Sequence, residues 1–514
     1  MKKIFESDKY TLRMTEGTDT KSVPVYTSLL TDGGFNNITL PDDVFKEYDG
    51  LGMGTHTVRT YFASFEFENS ASAEIKLPSG VKNIEIKPEN AVKADFSDDI
   101  VRFCVSESVN FVINPDGDIF GGLRVFCNKR KPIPTGFEHE IIFRRGLHTA
   151  DNCDYIRTDE HGTPVIDAVP DNTLIYIADG AVVNAAIVLR GVHNVHICGA
   201  GTLSLIDRCH GADRDFDYPD GQMWGAFRYW AVPNVYVRSG SSHITVEDIV
   251  LNCEFRGVVL RNCDHISLRN LKMFTSTENA DGINCYNTSD LLVDGCWIES
   301  ADDCFCMYNS CDSIPTLFDD GYEDVKPVCR AVEVKNCVMS SNARPIVLGG
   351  HATGSTDPRC VIEDIHIHDC RVIETPYRAF CDNPTEYSMY WSGFMRLLSQ
   401  SEQIVRNICF ENMVIEVTRG SNSKPVHIEV RGSQNASYTE NAGYRIENIM
   451  FKNIEIKGST ERLIPSVIRC RAAADENDKC GISGVTFDNF TVDGRRIDRS
   501  MVVTEGNCED IRIE

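Results

Sequence analysis

Hydrophobic and polar residues alternate along the first ~130 residues in the manner of short strands. Phe65 and Phe67 alternate with Glu66 and Glu68; Ala73, Ile75 and Leu77 follow, then Val101, Phe103 and Val105, and Phe111 with Ile113. Runs of period two, broken by turn residues, predict strands with one buried face and together a small antiparallel sandwich. Leu123-Arg-Val-Phe-Cys-Asn128 reads as its last strand and Lys129-Arg-Lys-Pro-Ile-Pro134 as a linker.

Beyond the linker the pattern becomes a repeat: apolar-x-apolar, two polar or small residues, then an apolar residue or cysteine. It appears as Ile244-Thr-Val246-Glu-Asp-Ile249 and Ile266-Ser-Leu268-Arg-Asn-Leu271. Leu291-Leu-Val293-Asp-Gly-Cys296, Val332-Glu-Val334-Lys-Asn-Cys337 and Ile365-His-Ile367-His-Asp-Cys370 continue it, and three more copies start at Ile408, Ile449 and Val485. Successive starts are 22, 25, 41, 33, 43, 41 and 36 residues apart. A shortest period near 22, with longer intervals, fits one coil of a parallel β-helix carrying insertions at its corners. The polar pair fits the bend between two strands, where Asn, Asp and Gly tolerate left-handed backbone angles. One coil cannot bury its inward row alone, whereas stacked coils share a continuous core. A leucine-rich repeat keeps a tighter period and an immunoglobulin-type array lacks the coil-length period. The chain therefore reads as all-β: an N-terminal β-sandwich over residues 1–130, then a right-handed parallel β-helix over residues 131–514.

Length agrees, since 514 residues exceed the size at which one compact core stops growing. A formal net charge of −25 argues against nucleic acid or an anionic membrane as partner. It argues against a polyanionic substrate too, unless basic residues cluster in the cleft. Lys2 and Lys3 open the chain, but no apolar run of signal-peptide length follows, and no stretch approaches the ~18 apolar residues of a membrane span. The 21 cysteines are odd in number, and Cys263, Cys296, Cys337 and Cys370 sit in strand-like repeats. Buried thiols in a reducing cytoplasm are the expectation; a removed signal sequence would make the protein secreted.

Chemistry concentrates in Thr277-Glu-Asn279-Ala-Asp281-Gly-Ile283 and Ser300-Ala-Asp302-Asp303-Cys304. Asp281 and Asp302 are 21 residues apart, close to the shortest period. That spacing predicts equivalent points on neighbouring coils, ~4.8 Å apart along the axis, with Asp303 on the same patch and all three in one solvent-exposed cleft. Carboxylates so close repel, which raises at least one pKa and keeps that group protonated near neutrality. One protonated and one ionised carboxyl are what glycoside hydrolysis requires: the first protonates the leaving oxygen, the second activates water or attacks carbon. Two other readings stand beside this one. Asp-Gly and Asp-Asp serve as plain turn residues at coil corners, and aspartate oxygens suit calcium.

Asn279-x-Asp281-Gly282 and Asp302-Asp303-Cys304 resemble the Asn-x-Asp-Gly and Gly-Asp-Asp-Cys motifs of glycoside hydrolase family 28, the polygalacturonases, with Ala301 in place of the glycine. Leu348-Gly-Gly-His351 resembles that family's Gly-His-Gly segment, with Ala352 at its last position. The Arg-x-Lys pair that holds the substrate carboxylate there has no counterpart; Val426-His-Ile-Glu-Val-Arg431 stands in that region. The leading sandwich, the strand from Leu123, Ile142-Phe-Arg-Arg-Gly-Leu-His148, Tyr176-Ile-Ala-Asp-Gly-Ala181 and Asn342-Ala-Arg-Pro-Ile-Val-Leu-Gly349 resemble family 49, the dextranases and isopullulanases, which also uses three aspartates. The resemblance spans nearly the whole chain. It implies an inverting hydrolase of α-linkages in a glucan-like poly- or oligosaccharide, with Asp302 as general acid and Asp281 and Asp303 positioning and deprotonating water. No cofactor and no metal is called for.

Asn279, His351, Trp224, Tyr308 and Arg431 are the candidate substrate-binding residues. Trp224, with Tyr229 and Trp230, precedes the catalytic coils, where an exposed aromatic stacks on a sugar and a buried one packs a loop. His351 contacts the sugar or ends a strand, and Tyr308 with the acidic insertion from Cys311 to Val328 forms a cleft wall. His366 and His368 alternate with apolar neighbours, a pattern that fits a strand better than a metal pair. No P-loop, strand-linked glycine fingerprint or zinc-spaced cysteine pair is present. Three alternatives remain: a polygalacturonase-type hydrolase of pectic fragments, a calcium-dependent lyase on the same fold, and a non-catalytic glycan-binding β-helix.

Overall fold

Alternation builds the N-terminal part. Strand Ala71–Lys76 buries Ala71, Ala73 and Ile75 while Ser72, Glu74 and Lys76 face outward. Phe65, Phe67, Val101, Phe103, Phe111 and Ile113 bury in the same way. The computed structural model describes residues 6–31, 57–119, 121–159, 162–205, 232–238, 240–253, 255–275, 280–309, 328–341, 343–350, 360–374, 393–417, 423–432, 442–471 and 480–514. Among the described residues two five-stranded sheets form the sandwich and share one apolar core. It is not purely antiparallel. Its last strand, Leu123–Lys129, runs antiparallel to Val109–Pro115 but parallel to Thr57–Phe67. That strand is buried on both sides, because its other face meets the β-helix.

Among the described residues the remaining strands form a 21-stranded and a 12-stranded sheet, all parallel apart from short hairpins at the two ends. These wrap a right-handed parallel β-helix around a single apolar core. The eight motif copies stack in register: Ile244, Ile266, Leu291, Val332, Ile365, Ile408, Ile449 and Val485 pair in sequence along the long sheet. The bend after each copy is the polar pair, whose second residue has positive φ in every case: Asp248, Asn270, Gly295, Asn336, Asp369, Asn412, Asn453 and Asn489. Its amides bond from coil to coil, Asn453 to Asn412 at 3.0 Å and Asn489 to Asn453 at 2.9 Å. Above them Phe410, Phe451 and Phe487 stack at 5.0 and 5.1 Å. Three coils precede the first motif copy, through His139–Phe143, Thr173–Ile177 and His193–Cys198.

The sandwich lies against the long sheet. Phe62 stacks on Phe274 at 5.0 Å and Phe126 meets Trp297 edge-on at 5.9 Å. Arg124 grips Glu299 through two hydrogen bonds of 2.8 and 2.9 Å, both side chains buried. The 12-stranded sheet carries the acids. Its inward positions are apolar (Ile283, Cys285, Phe305, Met307), and its outward positions include Asn284, Tyr286, Cys306 and Tyr308.

Candidate active site

Strands Ile283–Tyr286 and Phe305–Tyr308 pair with an offset of 22 residues. The pairing extends backward: the Gly282 amide donates to the Asp303 carbonyl at 2.8 Å, that of Gly257 to Asp281 at 3.1 Å, and that of Cys304 to Arg344 at 3.0 Å. Arg256, Asp281, Asp303 and Arg344 therefore occupy equivalent positions on four successive coils. The residue equivalent to Asp281 is Asp303, and Asp302 sits one residue before the column. This corrects the 21-residue reading. Asp281 and Asp302 do come together, but as neighbours offset by one residue.

Local chemistry fixes the backbone here. Ser300 Oγ donates to the carbonyl of Asp303 and Ser341 Oγ to that of Asp302, at 3.0 and 2.7 Å. Gly282 is required by close packing, since a Cβ there would lie 2.3 Å from Ile298 Cγ2 and 2.6 Å from the Cys304 carbonyl. The Asp-Gly pair thus lets one acid-bearing coil settle onto the next.

The three carboxylates lie within one electrostatic unit. Asn284 Nδ2 donates to Asp281 at 2.6 Å, and Arg256 Nε lies 3.6 Å from the same oxygen. Arg344 clamps Asp303 with two bonds of 2.6 Å and reaches Asp302 at 3.7 Å. Burial, reinforced by Asp302, pushes Asp281 up to about 7 against the pull of Arg256. Burial raises Asp303 as well, opposed by Arg344 and supported by Asp302. The expected solvent-exposed cleft needs correcting: the side chains of Asp281, Asp302 and Asp303 are 8%, 7% and 2% exposed. For Asp281 and Asp303, desolvation, more than repulsion between the acids, is the first cause of the shift.

Tyr308 stands beside the acids. It is buried, pairs with Tyr286 at 5.4 Å between ring centroids, and is pushed well above its ordinary pKa by burial, then by Cys306, Asp303 and Asp281. Arg431 does not join them. It follows strand Val426–Val430, the third strand beyond Phe305–Tyr308, and donates to Gln400 Oε1 at 3.1 Å. Asn279, His351, Trp224, Tyr229 and Trp230 lie outside the described residues, as does most of the acidic insertion. Sequence reasoning missed Arg256, Asn284 and Arg344. The signal was present: stepping from Asp303 by the next strand offset of 41 gives Arg344, and stepping back from Asp281 by 25 gives Arg256.

Asp281, Asp303 and Cys306 bring one ligand atom each within 4.8 Å of one another. They suit calcium poorly, because that ion takes six to eight oxygens and here both Asp303 oxygens bond Arg344 while the third ligand is a thiol. His366 and His368 lie on the long sheet and hydrogen-bond to Glu411 and Glu333.

No family model matches the chain, and no curated protein matches it. Among solved structures the chain is similar to Dex49A from Penicillium minioluteum at 13% identity and a TM-score of 0.53, over 99% of this chain and 94% of that one. The likeness is one of fold. The family 28 exopolygalacturonase of Yersinia enterocolitica is similar at 12% identity and a TM-score of 0.45, over 86% of this chain and 96% of that one.

Proposed function

We propose that the protein is a glycoside hydrolase that cleaves α-glycosidic bonds with inversion, through Asp281, Asp302 and Asp303. One observation carries this reading: stacked coils hold two carboxylates in a single column, add a third beside it, and flank the column with arginines. A non-catalytic scaffold gains nothing from burying three acids together, since buried charge is costly. In the proposed reaction Asp302 protonates the departing sugar oxygen. Asp281 and Asp303 hold and deprotonate the water that attacks the anomeric carbon from the opposite face. A base with a pKa near 7 is strong yet still ionised at slightly alkaline pH, which suits Asp281 to the second role.

The sequence resemblance supports a neutral glucan-like substrate. A second reading, hydrolysis of an acidic chain such as pectic fragments, is favoured by the cations beside the acids. Arg344 contacts two of them, and Arg396 lies on the outward face of the next strand but one, within the field of Asp303 and Tyr308. For either chain, proton NMR before mutarotation is expected to find the opposite anomer in the first product. Asp302→Asn is expected to cut turnover by about 10²–10⁴ on ordinary substrates, and by less on one with an activated leaving group. Retained configuration, or near-normal turnover by Asp302→Asn, would refute the assignment.

A further inference from the structure

The outward face of the 21-stranded sheet carries a patch unlike the acid-bearing wall. Strands Val361–His368 and Ile404–Val417 run parallel on neighbouring coils, with His366 opposite Cys409 and His368 opposite Glu411. The residues alternating with these, Ile365, Ile367, Ile408 and Phe410, lie in the core, so the four side chains point outward from the corners of one patch. The core row fixes the register and holds the two backbones ~4.8 Å apart. Cys296, Cys337 and Cys370 lie inside the core, where a thiol packs as a small hydrophobe. Cys409 is half-buried instead, among imidazole and charged groups.

His366, Cys409 and Glu411 bring one ligand atom each within 4.8 Å of one another. Zinc bonds nitrogen and oxygen at about 2.0–2.2 Å and thiolate at about 2.3 Å, so donors on one tetrahedral ion stand roughly 3.3–3.6 Å apart. His366 Nε2 and Glu411 Oε2 are already 3.2 Å apart. Neighbouring groups hold this arrangement. Lys452 Nζ donates to the other oxygen of Glu411 at 2.8 Å, which turns Oε2 toward His366. His368 stacks on the His366 ring with centroids 4.1 Å apart. It is not itself counted as a ligand, because its Nε2 meets Glu333 at 3.1 Å and its Nδ1 meets Asp369 at 2.7 Å. Partners that orient an imidazole and a carboxylate from behind are a regular part of metal sites.

We propose that His366, Cys409 and Glu411 bind zinc or a similar borderline transition-metal ion, with water in the fourth position. Imidazole, thiolate and carboxylate are all zinc ligands, and a thiolate selects against calcium and magnesium. On binding, the thiol proton leaves to solvent. The ion joins His366 of one coil to Cys409 and Glu411 of the next, and so clips two coils together. Asp281 and Asp303 lie on the 12-stranded sheet, so the clip takes no part in the proposed hydrolysis and stands or falls independently of it.

The test uses full-length protein freed of metal by a chelator, titrated by calorimetry with zinc and with calcium, and by absorption spectroscopy with cobalt(II). Zinc is expected to bind tightly at one ion per chain and to raise the melting temperature, as a ligand of the folded state does. Cobalt is expected to show the thiolate-to-metal charge-transfer band and the intense visible bands of four-coordination. Cys409→Ser is expected to abolish the charge-transfer band. His366→Gln, Cys409→Ser and Glu411→Gln are each expected to weaken zinc binding at least about tenfold. Cys104→Ser, which removes an exposed thiol of the sandwich, is expected to change neither. Melting curves without metal establish that each variant folds, and Cys409→Ala replaces the serine variant if that one does not. Zinc affinity that survives loss of Cys409, a cobalt spectrum without the thiolate band, calcium bound as tightly as zinc, or a melting temperature unmoved by zinc would overturn the proposal.

Discussion

Asp281 couples chemistry to stability. Its carboxyl is raised from 3.8 to about 7 in the fold, first by burial and then by Asp302. A group raised in this way favours the folded state below its unfolded pKa, and that contribution is lost as pH rises through the folded value. Wild-type protein is therefore expected to lose thermal stability at this site from about pH 4 to about pH 7. Asp281→Asn, a permanent mimic of the neutral acid that still accepts from Asn284, is expected to lose less. At pH 8 the variant should melt above wild type while its activity is largely abolished, a trade between function and stability. The same ionisation gives kcat/KM an ascending limb near pH 7, since the base must be deprotonated; neighbouring carboxyls interact strongly with Asp281, so the limb is a property of the cluster. A limb that descends through pH 7 with no ascending partner would assign Asp281 the acid's role instead. Melting curves and rate profiles measured in the same buffers decide both points.

The bend of each coil sets the next scale. Asn453 has φ of 53°, donates to Asn412 and accepts from Asn489, so one side chain serves both backbone angle and ladder. Asn453→Gly keeps the angle and loses the bonds; Asn453→Ala loses both. Alanine in a left-handed conformation adds about 1–2 kcal/mol to the loss of a hydrogen bond. Alanine is thus expected to cost clearly more than glycine in chemical denaturation, and equal costs would show that the ladder alone matters. These bends explain what could be read in advance. The Asp, Asn and Gly positions, together with the paired apolar residues around them, specify coil phase because a one-residue slip would turn the core row outward. The fold was legible for that reason. The site was legible only in part. Asp281 and Asp303 stood out as motifs, but their true alignment needed the 22-residue offset of their own sheet, where neighbouring long-sheet strands are 25 apart. Arg256 carries no motif, Arg344 lies in a segment that was read without giving it a role, and only register brings them in. The burial that dominates the pKa shifts depends on three-dimensional packing and leaves no local mark. The parallel closing strand of the sandwich was hidden similarly, since alternation records which face is buried and not which way the neighbour runs.

For the molecule as a whole, two features extend over many coils. The first is a column of thiols: none of the 18 described cysteines is in a disulfide, and Cys296, Cys337 and Cys370 stack on successive coils inside the core. Burial holds the Cys296 and Cys337 thiols in the protonated, inert form. Thiol titration of unfolded, non-reduced protein is expected to find nearly all 21 cysteines reactive, in keeping with a reducing compartment; a majority of disulfides would contradict it. The second feature is the seam between sandwich and β-helix, where a polar anchor sits within an aromatic contact. Burial disfavours the Arg124 charge, but Glu299 and Glu374 more than offset this. Glu374 itself is raised to about 7 by burial, opposed by Arg124, with Glu299 pushing the same way as burial. Removing the cation alone leaves two acids facing each other in a dry contact. Arg124→Met is therefore expected to cost about 3–5 kcal/mol, the usual result of stranding a buried charge. Changing Arg124 and Glu299 together to methionine removes both charges and is expected to cost less than the single change, although two hydrogen bonds are lost. If the seam joins the two parts into one cooperative unit, wild-type protein unfolds in a single denaturant transition. Arg124→Met should then unfold in two, with the sandwich and the β-helix reporting separately. A single transition in the variant at nearly the wild-type midpoint would locate the coupling in the Phe62–Phe274 and Phe126–Trp297 contacts instead.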